Sequence, residues 1–159
     1  MRKSLLAASK AMVRGLYRAQ GLEKGLSAVK VGDFKTALQE WRPLAEQGNA
    51  AAQNNLGLMH RNGEGVLKSY SEAVRWFCLS AKQGFAAAQS NLGFMYGHGY
   101  GIEKDLVLAH VWCNIGGANG DEEGAKLRDI FECQMTPEKV AEASRRATVC
   151  MASNYQGCD

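Results

Sequence analysis

The stretch Ala50-Ala51-Ala52-Gln53-Asn54-Asn55-Leu56-Gly57-Leu58-Met59 returns as Ala86-Ala87-Ala88-Gln89-Ser90-Asn91-Leu92-Gly93-Phe94-Met95, at an offset of 36 residues. The register persists through Gly63/Gly99, Gly65/Gly101, Val66/Ile102, Ala73/Ala109, Trp76/Trp112 and Gly84/Gly120. Identities this dense at one offset mark a stacked-repeat architecture. Apolar positions within each repeat recur at helical spacing. A first helix is predicted over about 50–60 and 86–96, closing at Asn62-Gly63 and Gly97-His98-Gly99, where a left-handed C-cap favours glycine. A second is predicted over about 70–82 and 106–117, ending at Gly84 and at Gly116/Gly117. It carries Tyr70, Ala73, Trp76 and Phe77, then Leu106, Ala109 and Trp112. One such hairpin cannot cover its own apolar face, so neighbours must stack.

The pattern extends outward in weaker form. Residues 35–48 match the second helix one period earlier, with Ala37 on Ala73 and Gln47-Gly48 on Gln83-Gly84. Ahead of them, Gly25, Ala28, Gly32 and Phe34 follow a tetratricopeptide-type spacing. Residues 121–133 and 137–152 read as a further hairpin, with Thr136 as N-cap and Pro137 at the first helical position. That last pair is polar, as a water-facing terminal cap must be. The chain therefore divides into a leader (1–21), hairpins at about 22–48, 49–84, 85–120 and 121–152, and a tail (153–159).

The formal charge of +3 is a local property. Residues 1–21 hold Arg2, Lys3, Lys10, Arg14 and Arg18 and no acid, which leaves 14 basic against 16 acidic residues, a net of −2, in 22–159. A body without a basic face argues against nucleic-acid binding. No apolar run approaches the ~18 residues a membrane span requires. Three readings of the leader stand. Arg2-Lys3 before Leu5 and Leu6, with Ala19-Gln20-Gly21 as a small-x-small site, resembles a degenerate export signal, although Lys10 and Arg14 interrupt its apolar core. Lys3, Lys10, Arg14 and Arg18 also fall on one narrow helical stripe while Leu5, Leu6, Met12, Val13 and Leu16 occupy the rest, an amphipathic pattern suited to an anionic membrane surface. The third is a frayed helix with a solvated basic face.

The motif A-x-A-Q-x-x-L-G-x-M-[YH]-x-x-G-x-G-[VI], followed by A-x-x-W, resembles the Sel-like repeat family, relatives of tetratricopeptide repeats. The resemblance covers about residues 22–152 and is strongest over 50–120. It implies an all-α fold, a right-handed α/α superhelix, serving as a non-catalytic scaffold for protein or peptide partners. The layout, with Met135-Thr136-Pro137-Glu138 and the closing Cys150…Cys158 pair, is similar to small exported bacterial members. It implies a periplasmic or secreted protein bridged at Cys150–Cys158; a cytoplasmic protein with reduced thiols is the alternative. The sequence departs from the pattern at His60, where Tyr96 keeps the preferred tyrosine, and at Ser69-Tyr70, which lacks the aspartate seen at Asp105.

Chemistry-bearing constellations are sparse. His60, His98 and His110 occupy non-equivalent repeat positions, and His110/Cys113, though spaced like two metal ligands, lack a second pair. No G-x-S-x-G is present, and Gly63-x-Gly65 and Gly99-x-Gly101 lack the context of a phosphate loop. No catalytic residue, metal or cofactor is expected. Some relatives are described as β-lactam-binding or hydrolysing, which makes a cell-envelope hydrolase the rival function. Those relatives staple each hairpin with a cysteine pair, whereas here Cys78 aligns with Asn114 and Cys113 with Phe77. Five cysteines leave at least one without a partner in the chain; Cys78 and Cys113 replace apolar positions, and Cys133 closes a helix. In stacked hairpins the first helices line the concave groove. Tetratricopeptide spacing places Asn54, Asn55, Leu58, Arg61, Ser90, Asn91, Phe94 and His98 there as candidate partner contacts.

Overall fold

The computed structural model describes residues 2–158, with side chains from residue 11 onward. The described residues form eight helices and no strand: α1 (Arg2–Lys30), α2 (Phe34–Glu46), α3 (Ala50–Asn62), α4 (Tyr70–Ala81), α5 (Ala86–His98), α6 (Leu106–Ala118), α7 (Glu122–Glu132) and α8 (Pro137–Ala152). Each helix packs on its sequence neighbour from α1 to α7, while α8 rests on α6 and α7 also touches α5. The result is an all-α superhelical solenoid whose core runs along the stack. The leader is not separate in secondary structure: α1 runs unbroken through residue 21.

The repeat identities map onto specific devices. Gly63 and Gly99 end α3 and α5 in the left-handed conformation, at φ 76° and 70°. The expected stop of the second helix at Gly116/Gly117 is incorrect. α6 continues through both to Ala118, and the left-handed turn falls at Gly120. Those two glycines serve close packing instead: a Cβ on Gly116 would strike Ser90, and one on Gly117 would press on Ala125. Gly57 and Gly93 likewise face Phe77 and Cys113 across their hairpins, while Ala73 and Ala109 are wholly buried. Small residues on one helix thus admit a larger side chain from the next.

Side-chain caps mark the starts of α2, α3, α4, α6 and α8. Asp33, Asn49, Ser69, Asp105 and Thr136 each accept a backbone N–H from the first turn. At the point where serine replaces aspartate, the cap survives but lengthens: Glu72 N donates to Ser69 Oγ at 3.3 Å, against 2.9 Å from Leu108 N to Asp105 Oδ1. His60 is half-buried and its Nδ1 has no partner, whereas Tyr96 is buried.

A glutamine clasp repeats with the period. Buried Gln53 donates Nε2 to Ala45 O (3.0 Å) and accepts from Gln83 Nε2 (2.7 Å). Gln89 repeats this with Ala81 O (3.1 Å) and Asn119 Nδ2 (2.8 Å). Each clasp ties a first helix to the second helices on both sides. It also satisfies a polar side chain that would be costly to bury alone. The second series ends at the tail, where Asn119 Nδ2 also donates to Tyr155 Oη (2.9 Å). There Cys150 and Cys158 are joined in a disulfide.

The loops lock one hairpin to the next. Gly65 lies against Phe34, and Gly101 against the backbone of Tyr70 and Ser71, so the same contact recurs one period apart. Both glycines have positive φ, 69° and 71°. One period on, the position is Pro137, which begins α8 instead of a third such loop.

Candidate functional site

The first helices α3, α5 and α7 share one face of the stack, and a cleft of about 700 Å³ opens along it. One end is walled by Arg61 and Asn62 of α3, by Lys68 in the α3–α4 loop and by Tyr70. Ser90, Asn91 and Phe94 of α5 form the middle, with Tyr100 reaching in from the α5–α6 loop. Asp121, Glu123 and Leu127 close the far end at the start of α7.

The Gly101 lock positions Tyr100. By holding the α5–α6 loop against the start of α4, it lays the Tyr100 ring on Tyr70, with centroids 4.7 Å apart and planes 9° from parallel. Phe94 (6.0 Å) and His98 (5.4 Å) extend this aromatic surface, and His98 Nδ1 lies 2.9 Å from Phe94 O. Two cations border the rings: the Arg61 guanidinium is 5.7 Å from the Phe94 centroid and Lys68 Nζ is 4.8 Å from that of Tyr70.

A polar relay fixes Arg61. Its Nη1 donates to Asn91 Oδ1 (3.0 Å), and Asn91 Nδ2 donates to Asn54 Oδ1 (3.1 Å). Burial pulls the Arg61 guanidinium below its ordinary pKa, yet it keeps its charge. Among the described residues no carboxylate forms an ion pair with Arg61 or Lys68. At the far end, Asp121 stands at the N-cap of α7 without a side-chain capping bond. The cleft is therefore bipolar, cationic at α3 and acidic at α7, with aromatic rings at the cationic end.

The eight groove residues named from sequence divide into three groups. Arg61, Asn91 and Phe94 meet in the cleft, and Ser90 contributes to its floor while 2% exposed. Asn54, also buried, supports Asn91 from beneath, and His98 flanks the aromatic surface on its exposed side. Asn55 and Leu58 are half-buried and outside the cleft lining. Sequence reasoning missed Lys68, Tyr70, Tyr100, Asp121 and Glu123. The Gly101 spacing was the available signal for Tyr100, since a loop locked on the preceding hairpin must carry its neighbour along.

The repeats themselves decide the family. The Sel1 repeat model matches residues 50–85 and 86–121. The chain carries two Sel-like repeats. The crystal structure of a protective antigen present in uropathogenic Escherichia coli strains, which displays the same repeat fold, is similar at 28% identity with a TM-score of 0.82. That match covers 89% of this chain and 31% of the antigen. A Sel1 repeat protein from Oxalobacter formigenes is similar at 28% identity and a TM-score of 0.67, over 80% of this chain and 53% of that one. This Sel-like repeat chain thus spans only a third to a half of these structures. The comparison with curated proteins gave no match. Sel1 repeats typically mediate protein–protein interaction and generally act as non-catalytic scaffolds.

In this Sel-like repeat chain the His110/Cys113 pair sits in the core. His110 is 1% exposed, its Nε2 lies 3.4 Å from Glu132 Oε2, and its Nδ1 has no partner. Cys113 is wholly buried behind Gly93, and burial pushes its thiol up to about 12, with Asp121 adding to the shift. A thiol so suppressed is a poor nucleophile at neutral pH. No group of three or more His, Cys, Asp or Glu side chains among the described residues could hold a metal ion.

Proposed function

We propose that the chain is a non-catalytic adaptor that holds an extended peptide or protein segment in the cleft between α3, α5 and α7. One observation carries this: a relay-fixed Arg61, held in no ion pair among the described residues, beside the stacked Tyr70 and Tyr100 rings in an open groove. Aromatic rings and a pre-positioned arginine are the groups that most often dominate binding energy. An acidic group of the ligand pairs with Arg61 or Lys68, and an apolar ring or proline packs on Tyr100 and Phe94. A basic group faces Asp121 and Glu123. The Cys150–Cys158 bridge supports a working place in an oxidising compartment, and intact-mass measurement on protein from the native host tests that.

The functional test is quantitative capture from a lysate of the native host. The Arg61→Gln/Tyr100→Ala variant should retain less than a tenth of the wild-type capture of specific partners. Both positions lie outside the buried core, so an unchanged circular dichroism melt accompanies the loss. A capture profile identical to wild type overturns the reading.

A further inference from the structure

A second surface, independent of the groove, lies on α1. At 1.5 Å per residue its 29 residues extend about 43 Å, while the 13-residue α2 against which it packs is about 20 Å long. Burial on α1 begins at Gly21 and recurs at Gly25 and Ala28, and every residue from 11 to 20 is exposed. The helix therefore overhangs the body. On the overhang, Met12, Val13, Leu16 and Tyr17 are between 59% and 73% exposed, an unusual position for four large apolar side chains. At 100° per residue they share one side, about 140° wide, with Arg14 about 60° beyond Tyr17 on its flank and Arg18 about 100° beyond, toward the opposite side.

We propose that this overhang is an interfacial helix that lies on an anionic lipid surface and tethers the solenoid to it. The charge selects the occupant. Residues 1–21 hold five basic side chains and no acidic one. Pairing two copies through the apolar side would bring like charges together, and the body, at −2, offers little to offset them. A layer of anionic headgroups over hydrocarbon matches both parts of the helix. Apolar side chains enter the acyl boundary, arginines meet the headgroups, and a tyrosine suits the interface between them. No helix among the described residues is long and apolar enough to cross a membrane, so the attachment lies along the surface.

The test is co-sedimentation of the full chain with phosphatidylcholine vesicles and with vesicles of phosphatidylcholine and phosphatidylglycerol. The chain should pellet with the mixed vesicles only. Because each basic residue near such a surface contributes roughly a fivefold gain in partitioning, Arg14→Gln/Arg18→Gln should lower it at least tenfold. Leu16→Asp should do the same by removing the apolar contact. All three positions are exposed, so folding is untouched and an unchanged thermal melt confirms it. Equal pelleting with both vesicle types overturns the proposal, as does undiminished pelleting of both variants. A dimer by light scattering that Leu16→Asp dissociates, with no vesicle binding, assigns the surface to a second copy instead. A mature N-terminus beyond residue 21 also overturns the tether.

Discussion

Single residues in this protein act mainly by what they exclude. Cys113 occupies the position that Phe77 fills one period earlier, closing the space over Gly93 as Phe77 does over Gly57. Its thiol has no access to water, and the consequence is measurable. The folded pKa is raised from 9.0 to about 12, so the unfolded chain loses its proton first as pH rises. Stability is then fully present below pH 9 and falls between about pH 9 and 12, by up to about 1.4 kcal/mol per pH unit. Urea titrations of wild type and Cys113→Ala across that range should show a steeper alkaline decline for wild type. Parallel slopes contradict the assignment. Maleimide labelling should follow the same order: exposed Cys133 first, half-buried Cys78 later, Cys113 only on unfolding.

Between helices, the informative unit is a contact repeated at a fixed interval. Gly101 combines positive φ with a backbone neighbour where its Cβ would lie, so Gly101→Ala adds conformational strain and a clash that no rotamer relieves. The expected loss is about 2–4 kcal/mol by denaturant titration. The same substitution should also displace Tyr100 from Tyr70, so binding falls even where the protein remains folded. A loss below 0.5 kcal/mol removes the loop lock from the account. This contact also shows what was legible in the sequence. Helix extents and their glycine stops could be read because they depend on local periodicity. Gly116 and Gly117 were misread as a stop because glycine in sequence does not distinguish a turn from a close approach. Asn54 and Ser90 were placed in the groove by spacing alone. They are buried because α3 and α5 each pack on helices at both sides, which narrows the face left for a ligand. Tyr100 was legible only through the Gly101 spacing, because its position depends on a loop folding back across a hairpin.

The whole molecule is a one-dimensional stack, and its stability should be graded along the axis. The cluster spanning α4–α8 is the larger and includes Phe77, Trp112 and Phe131, whereas the one spanning α1–α4 centres on Trp41, Leu44 and Trp76. The smaller cluster has the overhanging α1 at its end, while the larger is closed by α8, the Tyr155 contact and the disulfide. Native-state hydrogen exchange should therefore open α1 and α2 before α5 and α6. Uniform protection of all four helices counts against graded opening. One feature bears on how such a chain changes length. The clasp made by Gln53 and its successor Gln89 presents the same bonds at both sides of residues 49–84. A further copy of that segment spliced in at Gly84 would find its docking partners already in place above and below. The addition would lengthen the ligand's footprint by one step while both ends stayed as they are. On the proposed groove reading, recognition length in this architecture is thus a counting variable, adjustable by duplication of a clasped segment.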